Sequence, residues 1–110
     1  MFPIQKLTPS EEIIMKAIWS YKKKPVMSDI LRQVNKVYGK GWKPQTVSTF
    51  LAKLCRKEYI EMSRNGRAFE YKALVKEREY QKYKLKMLLI FMYNDKVDYL
   101  QDDLRRLIEK

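Results

Sequence analysis

The spacing of hydrophobic residues changes from a helical period to a period of two at about Tyr59, and this change constrains the fold most. Residues 44–57 place their apolar side chains on one side at helical spacing and their polar side chains on the other. Residues 59–64 and 67–72 instead alternate in character, and Asn65-Gly66 between them is a strong signal for a tight hairpin turn. The sequence therefore predicts a helix over residues 44–57 that leads into a hairpin over residues 59–73.

Two further helices are predicted before residue 44. Thr8 and Glu11 have the spacing of a capping box, and Pro9 suits the first turn of a helix that ends before Pro25. A second helix is expected from about Ser28 to Tyr38, since its apolar residues recur at helical spacing. The residues that this pattern directs inward are Ile30, Leu31, Val34 and Val37.

Three helices followed by a hairpin, within about 75 residues, is the order of a winged helix-turn-helix domain. The predicted fold class is therefore mainly α with a small β-hairpin wing. From Lys76 the pattern is helical again, with one helix expected over about 76–93 and another over about 96–109. We thus expect a winged-helix domain over residues 1–75 and a helical region over residues 76–110.

The charge of the chain indicates a polyanionic partner. The formal net charge is +11, and residues 1–75 alone contribute +9 of it, whereas residues 76–110 contribute +2. Clustered Lys and Arg side chains gain affinity for nucleic acid by releasing counterions from its phosphates. The winged-helix part is therefore expected to carry the binding surface.

The composition also argues against an enzyme, a cofactor or a metal site. The chain has no His, a single cysteine (Cys55), no isolated carboxylate pair in an apolar setting and no phosphate-cradling Gly-rich loop. Cys55 is expected to be a partly buried spacer beside the core. No signal peptide is evident, and the longest apolar run, Met87–Tyr93, is too short to span a bilayer. A cytoplasmic protein without a membrane partner is expected.

The outer face of the third helix and the tip of the wing have side chains suited to DNA. Gln can recognise adenine, Lys can recognise guanine, and short hydroxyls reach bases or phosphates, while Ala52 permits a close approach. Arginines beside a hairpin turn suit phosphates or a narrow minor groove. The lysines expected to hold the DNA backbone are Lys40, Lys43, Lys53 and Lys57. The predicted DNA-binding residues are Lys43, Gln45, Thr46, Ser48, Thr49, Lys53, Arg56, Arg64 and Arg67.

Residues 7–74 resemble the penicillinase repressor family of winged-helix proteins. The most specific piece is Pro-x-Thr-Val-x-Thr-x-Leu-x-x-Leu over residues 44–54, supported by Leu7–Glu11 before Ile18-Trp19, by residues 57–60 and by residues 69–71. The resemblance implies a homodimeric repressor that binds double-stranded DNA at a palindromic operator, with dimer contacts from C-terminal helices. By position, it implies DNA contacts from Thr46, Ser48, Thr49, Lys53, Arg64 and Arg67.

The sequence departs from that family in four ways. Lys43 stands where relatives usually have Ser or Thr, and the region after Lys76 is shorter than in typical relatives. That region also lacks the Asn-Phe step at which the antibiotic-sensing branch is cleaved, and the paired cysteines of the copper-sensing branch are absent. The resemblance therefore implies repression, but it identifies no inducing signal, sensor or protease.

The last third of the chain also favours self-association on its own pattern. A helix that is apolar nearly all round, near a chain end, must be covered by something. A second copy would cover it and would space two DNA-reading helices, whereas the alternative is that it folds onto its own domain. The residues expected in a dimer interface are Tyr83, Met87, Leu88, Phe91, Leu100, Leu104 and Leu107.

Two other functions remain open from the sequence. A winged helix can serve as a protein-docking module, in which case the positive charge would attract an acidic partner. RNA binding is less favoured, since no exposed aromatic platform on a sheet face is evident. The sequence favours a repressor that occludes a promoter by binding a twofold-symmetric site.

Overall fold

The computed structural model describes residues 4–109 of the chain. These residues form α1 (Pro9–Trp19), α2 (Met27–Val37), α3 (Pro44–Arg56), β1 (Ile60–Asn65), β2 (Ala68–Ala73), α4 (Glu77–Met87), a π-helical turn (Leu88–Met92) and α5 (Val97–Ile108). The predicted class, mainly α with a small hairpin, is confirmed. The chain divides into two compact units, with the boundary between Glu77 and Arg78.

The start of α1 has the capping box that the sequence predicts. The hydroxyl of Thr8 accepts from the Glu11 backbone N–H at 3.2 Å, and the Glu11 carboxylate accepts from the Thr8 N–H at 2.8 Å. Two backbone donors that the helix cannot satisfy internally are thereby bonded. Local sequence alone therefore fixes where this helix begins.

The second helix follows its predicted pattern except at its end. Ile30 and Val34 are fully buried and Leu31 is half-buried, but Val37 is 56% exposed, so its predicted inward position is wrong. Val37 is the last residue of α2, where fewer neighbouring elements are available to cover a side chain. At the other end, the Asp29 carboxylate accepts from the Val26 N–H at 3.1 Å and caps the first turn.

The core of the first unit lies where the three helices pack on one another and on the hairpin. Apolar side chains from every one of these elements are buried there, which is what ties the hairpin to the helices. The core contains Leu7, Ile14, Met15, Ala17, Ile18, Ile30, Val34, Val47, Leu51, Leu54, Tyr59, Ile60, Tyr71 and Val75.

The hairpin is antiparallel, and its register runs from the pair Ile60 and Ala73 to the pair Asn65 and Ala68. Gly66 in the turn has φ +66°, a conformation that glycine adopts without a steric penalty. A β-bridge between Val26 and Glu70 joins the chain before α2 to β2, which the sequence did not predict. This bridge attaches the β2 edge of the hairpin to the chain before α2, whereas residues 64–69 around the turn are exposed.

The second unit consists of helices joined by a tight reversal. After the π-helical turn, Asn94 and Asp95 adopt φ values of +51° and +66°, and α5 begins two residues later. The Tyr93 hydroxyl donates to the Asp103 carboxylate at 2.8 Å, a hydrogen bond that raises the pKa of Tyr93. Among residues 4–109, none of the helices combines the length and the apolarity that crossing a bilayer requires.

Candidate nucleic-acid interface

The third helix has the two faces that its sequence predicts. Val47, Leu51 and Leu54 are buried in the core, so the opposite side of α3 faces solvent. Thr46 is half-buried at the edge between the two faces. The exposed residues are Gln45, Ser48, Thr49, Ala52, Lys53 and Arg56. The structure therefore places the predicted base-reading side chains together on one accessible surface, while their contact with DNA stays a prediction.

The N-terminus of α3 carries positive potential. Lys43 precedes the first turn without forming a side-chain cap, as its residue type predicts, and the first turn contains no acidic residue. The free N–H groups at a helix start and the helix dipole both favour an anion. In addition, residues 30–57 contain seven Lys and Arg residues and no Asp or Glu. This end of α3 is therefore suited to an anion, and residues 30–57 contribute no carboxylate that would oppose it.

The connection between α2 and α3 is held by a residue that the sequence analysis missed. The Asn35 side chain accepts from the Trp42 backbone N–H at 2.7 Å and donates to the Trp42 carbonyl at 2.9 Å. The Trp42 ring lies 5.1 Å from the Phe50 ring, and the Lys40 ammonium lies 5.9 Å from the Trp42 ring. Asn35 thus fixes the loop that positions Lys40 and Lys43 beside the start of α3. An Asn seven residues before a Trp is too weak a signal to predict this.

Two polar side chains on the outer face of α3 are constrained by their own helix. The Thr49 hydroxyl donates to the Gln45 carbonyl at 3.0 Å, and the Lys53 ammonium lies 5.9 Å from the centre of the Phe50 ring. Because its proton is committed to Gln45, Thr49 offers an acceptor oxygen and a methyl group to a ligand. Thr49 therefore suits a base-edge donor or a thymine methyl.

The side chains of the two wing arginines differ in the contacts that they make within the protein. Arg64 donates to the Gly66 carbonyl at 3.0 Å, and its guanidinium lies 5.5 Å from the centre of the Phe69 ring. Arg67 is exposed and makes no hydrogen bond or ion pair within residues 4–109. Arg64 is thus held in place before any ligand arrives, whereas Arg67 is free to follow a phosphate.

Lys57 is engaged within the protein. Its ammonium donates to the Glu11 carboxylate at 2.7 Å and to the Lys6 carbonyl at 3.0 Å. Burial raises the pKa of Glu11, but hydrogen bonds from Lys57 and Thr8 outweigh this effect and hold the pKa below its ordinary value of 4.5. This ion pair joins the end of α3 to the start of α1 and replaces the DNA contact expected for Lys57.

Cys55 is half-buried beside the core, as predicted, and burial raises the pKa of its thiol. A thiol with a raised pKa holds little of the reactive thiolate at neutral pH. Within the described part of the chain, no group of three or more acidic or cysteine side chains is arranged to hold a metal ion.

Comparison with known sequences places this arrangement in a family. Residues 7–109 match the family described as Penicillinase repressor. The chain belongs to the penicillinase repressor family. The resemblance seen over residues 7–74 is thus confirmed, and the family match extends through the helical region that follows. Members of this family are repressors, which confirms the expectation that the chain is not an enzyme.

Individual members are distant in sequence. The penicillinase repressor of Bacillus licheniformis is 27% identical over 94 residues, which span 86% of this chain and 71% of that protein. The methicillin resistance regulatory protein MecI of Staphylococcus aureus is 27% identical over 74 residues, spanning 67% of this chain but only 58% of MecI. Part of the length of MecI therefore has no counterpart in the alignment.

Solved structures of a family member have the same winged-helix fold. The DNA-binding domain of the repressor BlaI superimposes with a TM-score of 0.61 at 26% identity, covering 73% of this chain and 94% of that domain. Monomeric Bacillus licheniformis BlaI in complex with the blaP half-operator gives a TM-score of 0.60 at 26% identity, with the same coverage. The predicted winged helix is confirmed.

Proposed function

We propose that this protein is a transcriptional repressor that binds double-stranded DNA through the outer face of α3 and the wing. The observation that carries the proposal is the surface of α3: it exposes hydrogen-bonding side chains and basic residues, and residues 30–57 contain no carboxylate. A helix of this kind enters the major groove, and the wing follows the adjacent backbone. The known complex of BlaI with its half-operator supports the same use of this fold.

The two parts of the surface have different roles in this proposal. Thr49 and Lys53 read base edges, so replacing either with Ala relaxes sequence preference at a cost of about 1–3 kcal/mol. Arg64 and Arg67 contact phosphates, so their replacement weakens binding to every sequence and flattens the dependence of affinity on salt. Equal losses on specific and random DNA for all of these variants would refute this division of roles.

We also propose that the second unit joins two copies of the chain. Large apolar side chains are exposed there: Phe91 is 79% exposed and Leu107 is 81% exposed. Three other residues predicted for the interface are also exposed, namely Met87, Leu88 and Leu104, and Tyr83 is half-buried. Leu100 is buried within the single chain, so its side chain is not accessible to a second copy. Exposed apolar side chains of this size mark an interaction surface. A twofold dimer covers them and directs one α3 to each half of a palindromic operator.

Sedimentation of the full chain tests the dimer. Leu107→Asp places a charge on the proposed interface and is expected to convert the dimer to a monomer. Gln101→Asp, on an exposed polar position of the same helix, adds the same charge and is expected to leave the dimer intact. A chain that is monomeric without either substitution, at concentrations where it binds DNA, would contradict the dimer.

Selection of bound sequences from a random duplex pool tests the whole proposal. Enrichment of an inverted repeat is expected, because two identical winged helices related by a twofold axis read the same half-site twice. Weak binding with no enriched sequence, and with affinity set by salt alone, would instead indicate a docking module whose positive charge serves an acidic protein partner.

A further inference from the structure

A second basic surface lies away from α3. A groove of about 220 Å³ is formed by the end of α1, the connection between α1 and α2, and the end of β2. The residues that line it include three aromatic ones, Trp19, Tyr21 and Tyr71, and four lysines, the stretch Lys22–Lys24 and Lys72. Among the described residues, no Asp or Glu lines this groove. The groove therefore combines an aromatic wall with an unopposed positive rim.

The side chains of the four lysines of this groove form no polar contact within the fold. All four side chains are exposed, and none of their ammonium groups makes a hydrogen bond or ion pair within residues 4–109. Elsewhere in the same unit the fold does pair its lysines, since Lys16 binds Glu77 and Lys57 binds Glu11. Like charges that line one groove repel one another, and an anion bound in the groove reduces that repulsion. The four lysine side chains therefore contribute no pairing that stabilises the fold, whereas they are suited to bind an anionic ligand.

Two aromatic residues of the groove, Trp19 and Tyr21, already use their polar groups in hydrogen bonds within the protein. The Trp19 indole N–H donates to the Val75 carbonyl at 2.9 Å, and the Tyr21 hydroxyl donates to the Asp29 carbonyl at 3.0 Å. Both polar groups are thus already used as donors, and the charged donors of the groove are the ammonium groups. Lysine is a compact point charge with three donors that suits phosphate oxygens. The groove is also smaller than the roughly 300–1,000 Å³ of a drug-sized pocket, which favours a small anionic group.

The groove is separate from the surface proposed to read DNA. No residue of α3 lines it. Lys72 follows Gly66 by six residues along β2, which corresponds to about 20 Å of extended strand between the groove and the turn of the wing. A ligand in the groove therefore does not need to contact the wing turn or α3.

We propose that this groove is a second anion site that binds phosphate groups. Two sources have this chemistry: a free polyphosphate or nucleotide, and the backbone of DNA beyond the half-site that α3 contacts. Binding of a free ligand does not depend on the proposed repressor function, since the groove uses other residues of the first unit. Binding of the DNA backbone rests on that function, because α3 must first hold the duplex.

Fluorescence of Trp19 in the 110-residue chain tests the site directly. The chain has two tryptophans, so Trp42→Phe leaves Trp19 as the only one, and it lies in the groove wall. We expect inorganic tripolyphosphate to change the Trp19 emission at an ionic strength where sodium chloride does not. Replacing Lys22, Lys23 and Lys24 with Gln is expected to weaken tripolyphosphate binding at least tenfold.

A matched variant has Lys43, Lys53 and Arg56 replaced with Gln, which removes the same charge from the α3 surface. It is expected to keep tripolyphosphate binding within twofold while losing affinity for a short half-site duplex. The groove variant is expected to show the reverse. Loss of tripolyphosphate binding in both variants alike would show a general charge effect and would overturn the proposal.

DNA duplexes of two lengths distinguish whether the phosphate groups bound in the groove come from a free ligand or from the DNA backbone. If DNA supplies the phosphates, the groove variant binds a duplex extended on both sides at least threefold more weakly, with a shallower salt slope, and binds the short duplex normally. If a free ligand supplies them, only tripolyphosphate binding is lost. The proposal is overturned if neither tripolyphosphate nor extended DNA depends on the three lysines, or if polyglutamate competes for the groove as well as tripolyphosphate does.

Discussion

Replacement of Lys57 with Met is predicted to lower the free energy of unfolding by about 2–3 kcal/mol, because it leaves the Glu11 carboxylate buried without its partner. The Glu11 side chain is 2% exposed and the Lys57 side chain 25% exposed, and their charged atoms lie 2.7 Å apart. Removing one member of a buried ion pair costs about 3–5 kcal/mol. The lower figure applies here because Lys57 is partly hydrated and the Thr8 N–H still donates to Glu11. The melting temperature is expected to fall by roughly 10–20 °C.

The pH dependence of the same variant gives an independent test. In the natural sequence the folded-state pKa of Glu11 lies below its ordinary value of 4.5, so this carboxylate stabilises the protein above that pH. That contribution is lost as the pH falls through the folded-state pKa. Without Lys57, Glu11 loses a hydrogen bond and a charge that lower its pKa, and burial then raises the pKa. A fall in pH therefore destabilises the variant less than it destabilises the natural sequence. The difference in stability between the two proteins is therefore expected to narrow from pH 7 to pH 4.

Urea denaturation followed by circular dichroism at several pH values measures both effects. Lys16→Met is the matched control, because Lys16 and Glu77 form an ion pair that is 53% and 35% exposed and is expected to contribute at most about 1 kcal/mol. A loss below about 0.5 kcal/mol for Lys57→Met, or a difference that does not change with pH, would refute the reasoning.

Three further predictions concern the elements that position the candidate DNA surface. Phe69→Ala removes the ring beside Arg64 and is expected to weaken DNA binding about two- to fivefold in a gel-shift titration, with the salt slope nearly unchanged. Asn35→Ala removes both hydrogen bonds to Trp42 and is expected to cost about 1–3 kcal/mol in urea denaturation; a smaller loss would mean that the loop holds without them. Gly66→Ala is expected to cost about 1–2 kcal/mol, since φ is +66° and no atom lies within 4 Å of the added methyl; Gly66→Asn should cost less.

The features that the sequence predicted are those with local causes. The capping box of Thr8 and Glu11 spans four residues, and the hairpin turn lies one residue from its predicted place, since Asn65 ends β1 and Gly66 opens the turn at φ +66°. The two faces of α3 follow from helical periodicity alone. In each case the residues that decide the structure are neighbours along the chain, so the pattern is visible without knowledge of the fold.

The features that the sequence did not predict depend on contacts between distant segments. Lys57 and Glu11 are 46 residues apart, and nothing in either local sequence indicates that they meet. The bridge between Val26 and Glu70 joins segments 44 residues apart in the same way. Val37 has the spacing of a core residue, yet periodicity cannot show that the packing ends before the last turn of α2. Which face a helix buries is thus readable from sequence, whereas how far along the helix that burial extends is not.

Chemical-shift mapping on the ¹⁵N-labelled 110-residue chain tests the central claim most directly. The protein would be titrated with a duplex that carries the sequence enriched by selection, and backbone amide shifts would be followed residue by residue. The largest changes are expected at residues 43–53 and at residues 64–67. Changes confined to the second unit, with α3 and the wing unaffected at saturating DNA, would contradict the account.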